Sequence, residues 1–521
     1  MKKWLLLYLL LPFVAFAQNM NIDLVPYKST FSHFFYPKEY NYSIDTLNTG
    51  YSTLHYHSFS SKGQFIKVNH QQFINDYILF NLNFDKFSQE GIFNRENLKL
   101  HNISTNLLFN NKRQTYSAKL TLGYQKFITD ENGGLLNFSD INFDDPLLYQ
   151  VSLLNAQNEV KNRNHKLVQK FKLTDKRSII NKLSILSNRK IYSDNFPNSG
   201  FYQNLFIDSI QTFDSLSNIA ITNSFGITFN NFILSQLFHK RHAHINTIDS
   251  TDFDYGLSLN YFNYRRSLSF SSELYKSNDL NFSLKKIFNL KLLNHTLSLD
   301  YDRSRVPILI NSYYSNHYRF DNDFNNIKIA KATYFVKYKN YSFISYLIHY
   351  SDYVYLNQDS HYQQYQKAII KLYNKLTINL NWKKFHTTQT IEYQYADNTS
   401  IIRFPEFNYN TSLWIESNLF SDNLNTQIGA DMNYFTSYYA MAYNPALAKF
   451  YLQDNQLIGD VPLISVFLKL KVHNMFICMR YRNIISLINT NADVYYLIPN
   501  YPNYPASFQL SVVWKLNNTS D

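Results

Sequence analysis

The chain has 521 residues, with 50 Lys and Arg against 38 Asp and Glu for a formal charge of +12, and its aromatic residues make up 17% at a mean hydropathy of −0.34. The single cysteine, Cys478, excludes an intrachain disulfide and a thiolate metal cluster. Past Ala17 no apolar run reaches the ~18 residues that a membrane-crossing helix needs, so a conventional helical membrane protein is excluded.

At the start of the chain, Lys2 and Lys3 precede an apolar stretch from Trp4 to Ala17 that ends in the A-x-A site Ala15-Phe16-Ala17. This predicts a secretory signal peptide over 1–17 and a mature chain from Gln18. The alternative, a single membrane anchor, is disfavoured because the stretch is shorter than the ~20 residues of a span. Loss of Lys2 and Lys3 leaves a charge of +10. In an exported chain that excess points to an anion-preferring lumen or to acidic lipid headgroups rather than to nucleic acid.

Two-residue alternation then recurs along the chain. His55 and His57 share one face of a strand; Phe80, Leu82 and Phe84 alternate with Asn81, Asn83 and Asp85. Tyr116, Ala118, Leu120, Leu122 and Tyr124 oppose Ser117, Lys119, Thr121, Gly123 and Gln125. The pattern returns at Tyr255–Tyr261, Leu297–Tyr301 and Leu376–Trp382, while Asp130–Asn137, Asp194–Gly200 and Tyr313–Asn326 read as loops or turns. Rings on one side and polar groups on the other describe a wall between lipid and water.

A hairpin near the C-terminus fixes its own register. Val466–Val472 and Met475–Tyr481 flank His473-Asn474, and a two-residue turn there makes Val472 face Met475, Leu470 Ile477, Leu468 Met479 and Val466 Tyr481. A one-residue slip would place lysines among these apolar pairs. The opposite face carries Lys469, Lys471, Arg480 and Arg482, which become the leading lumen-lining candidates, with Lys119 and Lys383 as further ones. In a soluble β-sandwich the apolar face would instead form a core. The last strand alternates Phe508, Leu510, Val512, Trp514 and Leu516 with Gln509, Ser511, Val513 and Lys515.

Gly91, the turn Asp130-Glu131-Asn132-Gly133-Gly134, Phe450-Tyr451-Leu452-Gln453, Ile458-Gly459-Asp460-Val461-Pro462, the basic hairpin after it, and Tyr501-Pro502 leading to Val512-Val513-Trp514 together resemble the bacteroidete putative-porin family. The resemblance spans nearly the whole mature chain. It implies an outer-membrane β-barrel with porin activity and brings no catalytic residues.

Other chemistry finds little support. Isolated glycines build neither a dinucleotide fingerprint nor a phosphate loop, and HExxH and G-x-S-x-G do not occur. His239, His242 and His244 could ligate a metal, yet Lys240 and Arg241 beside them oppose a cation. Asp300, Asp302, Arg303 and Arg305 suit either a charged constriction or a solvated strand end.

The expectation is therefore an all-β fold: one transmembrane antiparallel up-and-down barrel over residues 18–521, with about 16 strands (14–18) from an allowance of ~30 residues per strand and connection. It would stand in the cell outer membrane, reached through the periplasm, with no enzymatic activity and no cofactor or metal. Its expected partners are outer-membrane lipid, the barrel-insertion machinery and small hydrophilic solutes, with oligomerisation left open. The leading function is passive diffusion of small hydrophilic, anion-favoured solutes. The alternative is a plugged or partner-bound barrel with a structural or assembly role. Receptor-type active transport needs a plug domain ahead of the first strand, and alternation beginning near Tyr77 leaves little chain for one.

Overall fold

The computed structural model describes residues 50–60, 62–136, 146–263, 267–290, 292–488 and 496–517; the signal segment 1–17 lies outside the described residues. Among the described residues, twenty-two antiparallel strands form one sheet in which each pairs with the strands of that sheet before and after it along the chain. The first, Tyr51–Phe59, pairs with the last, Ser507–Asn517, from Tyr51↔Asn517 to Ser58↔Leu510. The ring has no free edge, the arrangement of strands that satisfies backbone polar groups in hydrocarbon.

This corrects the expected count of about 16. Residues 51–517 divided among 22 strands give about 21 residues per strand and connection rather than ~30. The first strand also begins at Tyr51, well before Tyr77. Many turns were hidden because they lack the usual glycine. Asn230, Asn246, Lys339, Lys383 and His473 sit at turns with φ of 51°, 46°, 47°, 53° and 48°. Asn and His reach this left-handed region at modest cost, Lys at more, and a chain with 11 glycines uses all three.

The two ends of the barrel differ. Connections at one end, among them 76–77, 175–176, 230–231, 339–340, 383–384 and 473–474, are two to five residues long, and the first strand starts and the last strand ends there. At the other end lie 132–155, 196–210, 305–326, 352–368, 436–462 and 483–506. Outer-membrane barrels keep short turns on the periplasmic side and long loops outside, which orients the chain.

The expected hairpin has the register read from its apolar pairs, Val466↔Tyr481 through Val472↔Met475. Its apolar face continues onto the last strand, where Met475 meets Trp514 and Met479 meets Leu510. Around the ring the same face stays exposed at Leu257, Leu299 and Ile428, with Trp382 and Phe420 toward the short turns and Phe253 and Tyr395 toward the loops. An apolar band between aromatic girdles is the lipid-facing surface of such a barrel.

Face assignment gives a direct prediction. Leu299→Arg, mid-strand on the lipid side, should cost about 2–4 kcal/mol of folding into bilayers, whereas Ser298→Arg on the opposite face should cost under about 1 kcal/mol. Urea titration of folding into phosphatidylcholine vesicles measures both.

Candidate functional site

The inner face is identified by contacts that cross the ring. The connection 436–462 leaves strand Leu424–Phe435 and returns to Leu463–Val472, yet its tip reaches strands Ala156–Thr174 and Arg177–Asn195. There the Asn158 side chain donates to the Pro445 carbonyl at 2.9 Å and Lys190 Nζ to the Ala446 carbonyl at 2.7 Å. Such contacts between distant parts of a closed wall run through its interior. Twenty-two strands ~4.8 Å apart and tilted ~40° make a ring about 40 Å wide, which a loop of this length can cross.

Register then places the other inward side chains. Alternation from Asn158 and Lys190 puts Glu131, Asp214 and Arg241 inside, together with the polar row Asn81, Asn83, Asn106 and Thr121. Asn106 Nδ2 donates to Asn81 Oδ1 at 3.1 Å and Thr121 Oγ1 to Asn106 Oδ1 at 2.8 Å.

Several long loops lock together across the mouth. The small hairpin Ala442–Asn444/Lys449–Tyr451 is buried at Ala442, Tyr443, Ala446, Leu447 and Ala448. Glu131, fully buried at the end of its strand, accepts from Asn158 Nδ2 at 3.0 Å and from the Tyr443 hydroxyl at 3.1 Å. Burial first, then the Glu131 carboxylate, raises the Tyr443 phenol well above its usual range and keeps it a donor. Asn444 Nδ2 donates to Tyr318 Oη and Ser360 Oγ, each on a different loop. Lys449 is buried as well, which pushes its ammonium down to about 7.

Two further seams tie the loops together. Leu135 N–H donates to the Asn500 carbonyl and Asn500 N–H to Gln456 Oε1, both at 3.0 Å, tying three loops. The Gly133-Gly134 pair belongs here: Gly134 has φ 88°, and a Cβ on it would stand 2.7 Å from Asn500 Cβ. At the second seam the Asn316 side chain accepts from the N–H groups of Ile207 and Asp208 and donates to the Asp208 carbonyl and Thr212 Oγ1.

The candidates from sequence take varied positions. Lys469 and Lys471 share the inward face with Phe467, and Arg480 and Arg482 lie opposite on the next strand, outside the apolar set. Arg480 does not stand as a free cation: its Nη1 pairs with Asp431 at 2.5 Å and its guanidinium stacks 5.4 Å from the Phe467 ring. Lys119 is on the inward face of Tyr116–Glu131. Lys383 instead occupies a two-residue turn after Trp382.

Alternation also separates the three histidines. His239 shares the inward face with Arg241, while His242 and His244 point outward, and His242 meets Asp249 at 3.3 Å. Arg305 does not pair with Asp300 or Asp302; it collects Asp252, Asp254 and Asp279 at 3.2, 2.9 and 3.4 Å. His57 Nδ1 lies 2.7 Å from Ser511 Oγ across the closure of the ring. Asn158, Lys190, Asn316 and Tyr443 carried no signal of function in sequence, and Glu131 stood out only within the family-like turn, because their roles depend on which loop crosses to which wall.

The family model of the putative porins matches residues 13–518. The chain belongs to this putative-porin family. Its barrel is an outer-membrane barrel. No curated protein matches the chain. Among solved structures, the ferric enterobactin receptor PfeA in complex with BCV-L6 is similar at TM-score 0.65 and 8% identity, over 91% of this chain and 82% of that one. The copper transporter OprC is similar at 0.63 and 10%, over 90% and 80%. The siderophore receptor PirA from Acinetobacter baumannii is similar at 0.62 and 9%, over 91% and 81%. These likenesses concern the fold, a 22-stranded barrel.

Acid should loosen the packed loops through His317. Its ring stacks on Tyr202 at 3.7 Å, Nδ1 donates to the Asn204 carbonyl at 3.2 Å, and Nε2 accepts from Thr212 Oγ1 at 2.9 Å. Burial lowers its pKa to about 4 from 6.5, so the packed loops favour the neutral ring. The resulting stability is fully present above about 6.5 and declines as pH falls toward 4, by about 3 kcal/mol in all. Protease cleavage within 196–210 and 305–326 should rise between pH 6.5 and 4 in the native protein, with a flatter profile in His317→Gln.

Proposed function

We propose that this protein is a plugged outer-membrane barrel that acts through its loop end, docking a partner protein in a structural or assembly role, and that its resting form does not conduct. The observation that carries the reading is the 436–462 loop seated on Glu131, Asn158 and Lys190 across the ring. Passive diffusion through a permanently open lumen sits poorly with a mouth bridged in this way. The partner is suggested by apolar residues that the loop end exposes beyond the lipid band: Leu148 is 77% and Phe196 76% exposed, with Leu147, Leu154, Ile207 and Ile210 on the same two loops. Exposed clusters of this kind mark protein interfaces on soluble surfaces. The reading includes no catalytic step.

A second reading is favoured by the inner wall. Lys119, Lys469 and Lys471 face inward below the plug, so displacement of the loops would uncover a path suited to small hydrophilic anions. The two readings share the barrel and the plug and differ in whether the plug ever leaves.

Planar-bilayer recording separates them. The native chain should be silent, and removal of 440–456, or the triple change Glu131→Gln, Asn158→Ala and Lys190→Ala, should open discrete steps. Ohmic steps from the native chain would overturn the plugged reading. Recovery of a partner with the native chain, and its loss on Leu148→Ser with Phe196→Ser, supports docking; an unchanged set of co-purifying proteins counts against it.

A further inference from the structure

The outer surface of the barrel carries a feature that neither the plug nor the inner wall uses. Lys86, His101, Lys126, Lys161 and Arg189 follow one another through direct cross-strand pairs on five adjacent strands: Lys86↔His101, His101↔Lys126, Lys126↔Lys161 and Lys161↔Arg189. Register places all five on the face that also carries Leu122 and Ile103, the exposed apolar side. Like charges in directly opposed pairs, here Lys126↔Lys161 and Lys161↔Arg189, destabilise a sheet. One acid answers them: Glu159 reaches Lys126 at 3.0 Å and also binds Lys161. Among the described residues no ion pair holds Lys86, Arg189 or the nearby Lys99 and Arg163, all of them exposed.

Its height is informative. The five lie between eight and thirteen residues from the short-turn ends of their strands. At ~3.3 Å per residue and a tilt of ~40°, that is roughly 20–33 Å up the wall, at the top of an apolar band ~25 Å tall. The next row toward the short turns is Phe84, Ile103, Tyr124, Arg163 and Ser187, and the one below it includes Leu82, Leu122 and Ile185. Elsewhere this rim carries rings such as Tyr395 and Phe508, and its other outward cations include Lys240 and the opposed pair Arg303↔Lys328, of which Lys328 is held by Asp352 at 3.1 Å. A cationic arc directly over apolar rows, on the outward-facing half of the membrane, matches an amphiphile with phosphate groups at the surface and acyl chains beneath.

We propose that this row binds the phosphate groups of a phosphorylated glycolipid of the outer leaflet, with the acyl chains against Leu82, Ile103, Leu122 and Ile185. The lipid supplies the negative charge that the sheet lacks, and several charge-assisted hydrogen bonds to phosphate oxygens fix its position. The ligand is a lipid rather than a soluble anion because the cations border apolar rows that a free phosphate would leave uncovered.

The test uses the full-length protein folded in detergent, with bisphosphorylated lipid A as the probe and bound lipid quantified by native mass spectrometry. Combined Lys126→Gln, Lys161→Gln, Arg163→Gln and Arg189→Gln should reduce retained lipid A by about tenfold or more, and lipid A stripped of phosphate should bind the native chain as weakly. Equal retention by the variant would overturn the proposal. So would an equal loss in a control of matched charge at the short-turn end, Lys112→Gln, Arg113→Gln, Lys176→Gln and Arg177→Gln. Displacement of the lipid by inorganic phosphate would overturn its assignment as the ligand. Heat-modifiable gel mobility reports folding, and Arg163→Gln with Arg189→Gln alone, expected to lose several-fold, serves if the fourfold variant fails to fold.

Discussion

The pairing of Tyr51–Phe59 with Ser507–Asn517 is the constraint on which the rest depends. In hydrocarbon an unpaired strand edge strands a row of N–H and C=O groups, each costing several kcal/mol, so the sheet must close or not insert. Closure divides every strand into an inner and an outer face. It also sends all irregular chain to the two ends. With the short connections at one end, nearly all spare length collects at the other, and a ring about 40 Å wide leaves those loops room to fold inward.

Inward folding creates a problem of buried polarity that the crossing loops resolve with specific partners. Backbone carbonyls at the hairpin tip, Pro445 and Ala446, are met by Asn158 and Lys190, and Glu131 is met by Asn158 and Tyr443. The Asn316 amide satisfies donors and acceptors of the neighbouring 204–214 segment, including Thr212. Abundant asparagine suits this work, since one short side chain offers two donors and an acceptor at a fixed distance from the backbone.

What could be read from the sequence follows the range of the interaction. The Val466–Tyr481 hairpin was legible because a two-residue turn and a two-residue period leave one register with apolar pairs throughout. Strand number was not, because turns built on Asn230, Lys339 or Lys383 give no glycine signal. Of the lumen candidates, the face of Lys469 and Lys471 came from local alternation, while the Asp431 partner of Arg480 lies 49 residues away and had no local mark. The plug was illegible for the same reason: Glu131 meets Tyr443 across 312 residues.

The plug and the ring are held by different bonds, and this separates their stabilities. Ring closure rests on backbone ladders shielded by lipid, which no single side chain controls. The loop contacts at the water-facing mouth rest largely on side chains, and burial disfavours the charged forms of two of them, His317 and Lys449. For Lys449, folding depresses the pKa below that of the free chain, so docking strengthens as pH rises above about 7. Loosening by acid therefore acts on the loops and leaves the barrel intact, since the strands carry their own hydrogen bonds whether the mouth is bridged or not.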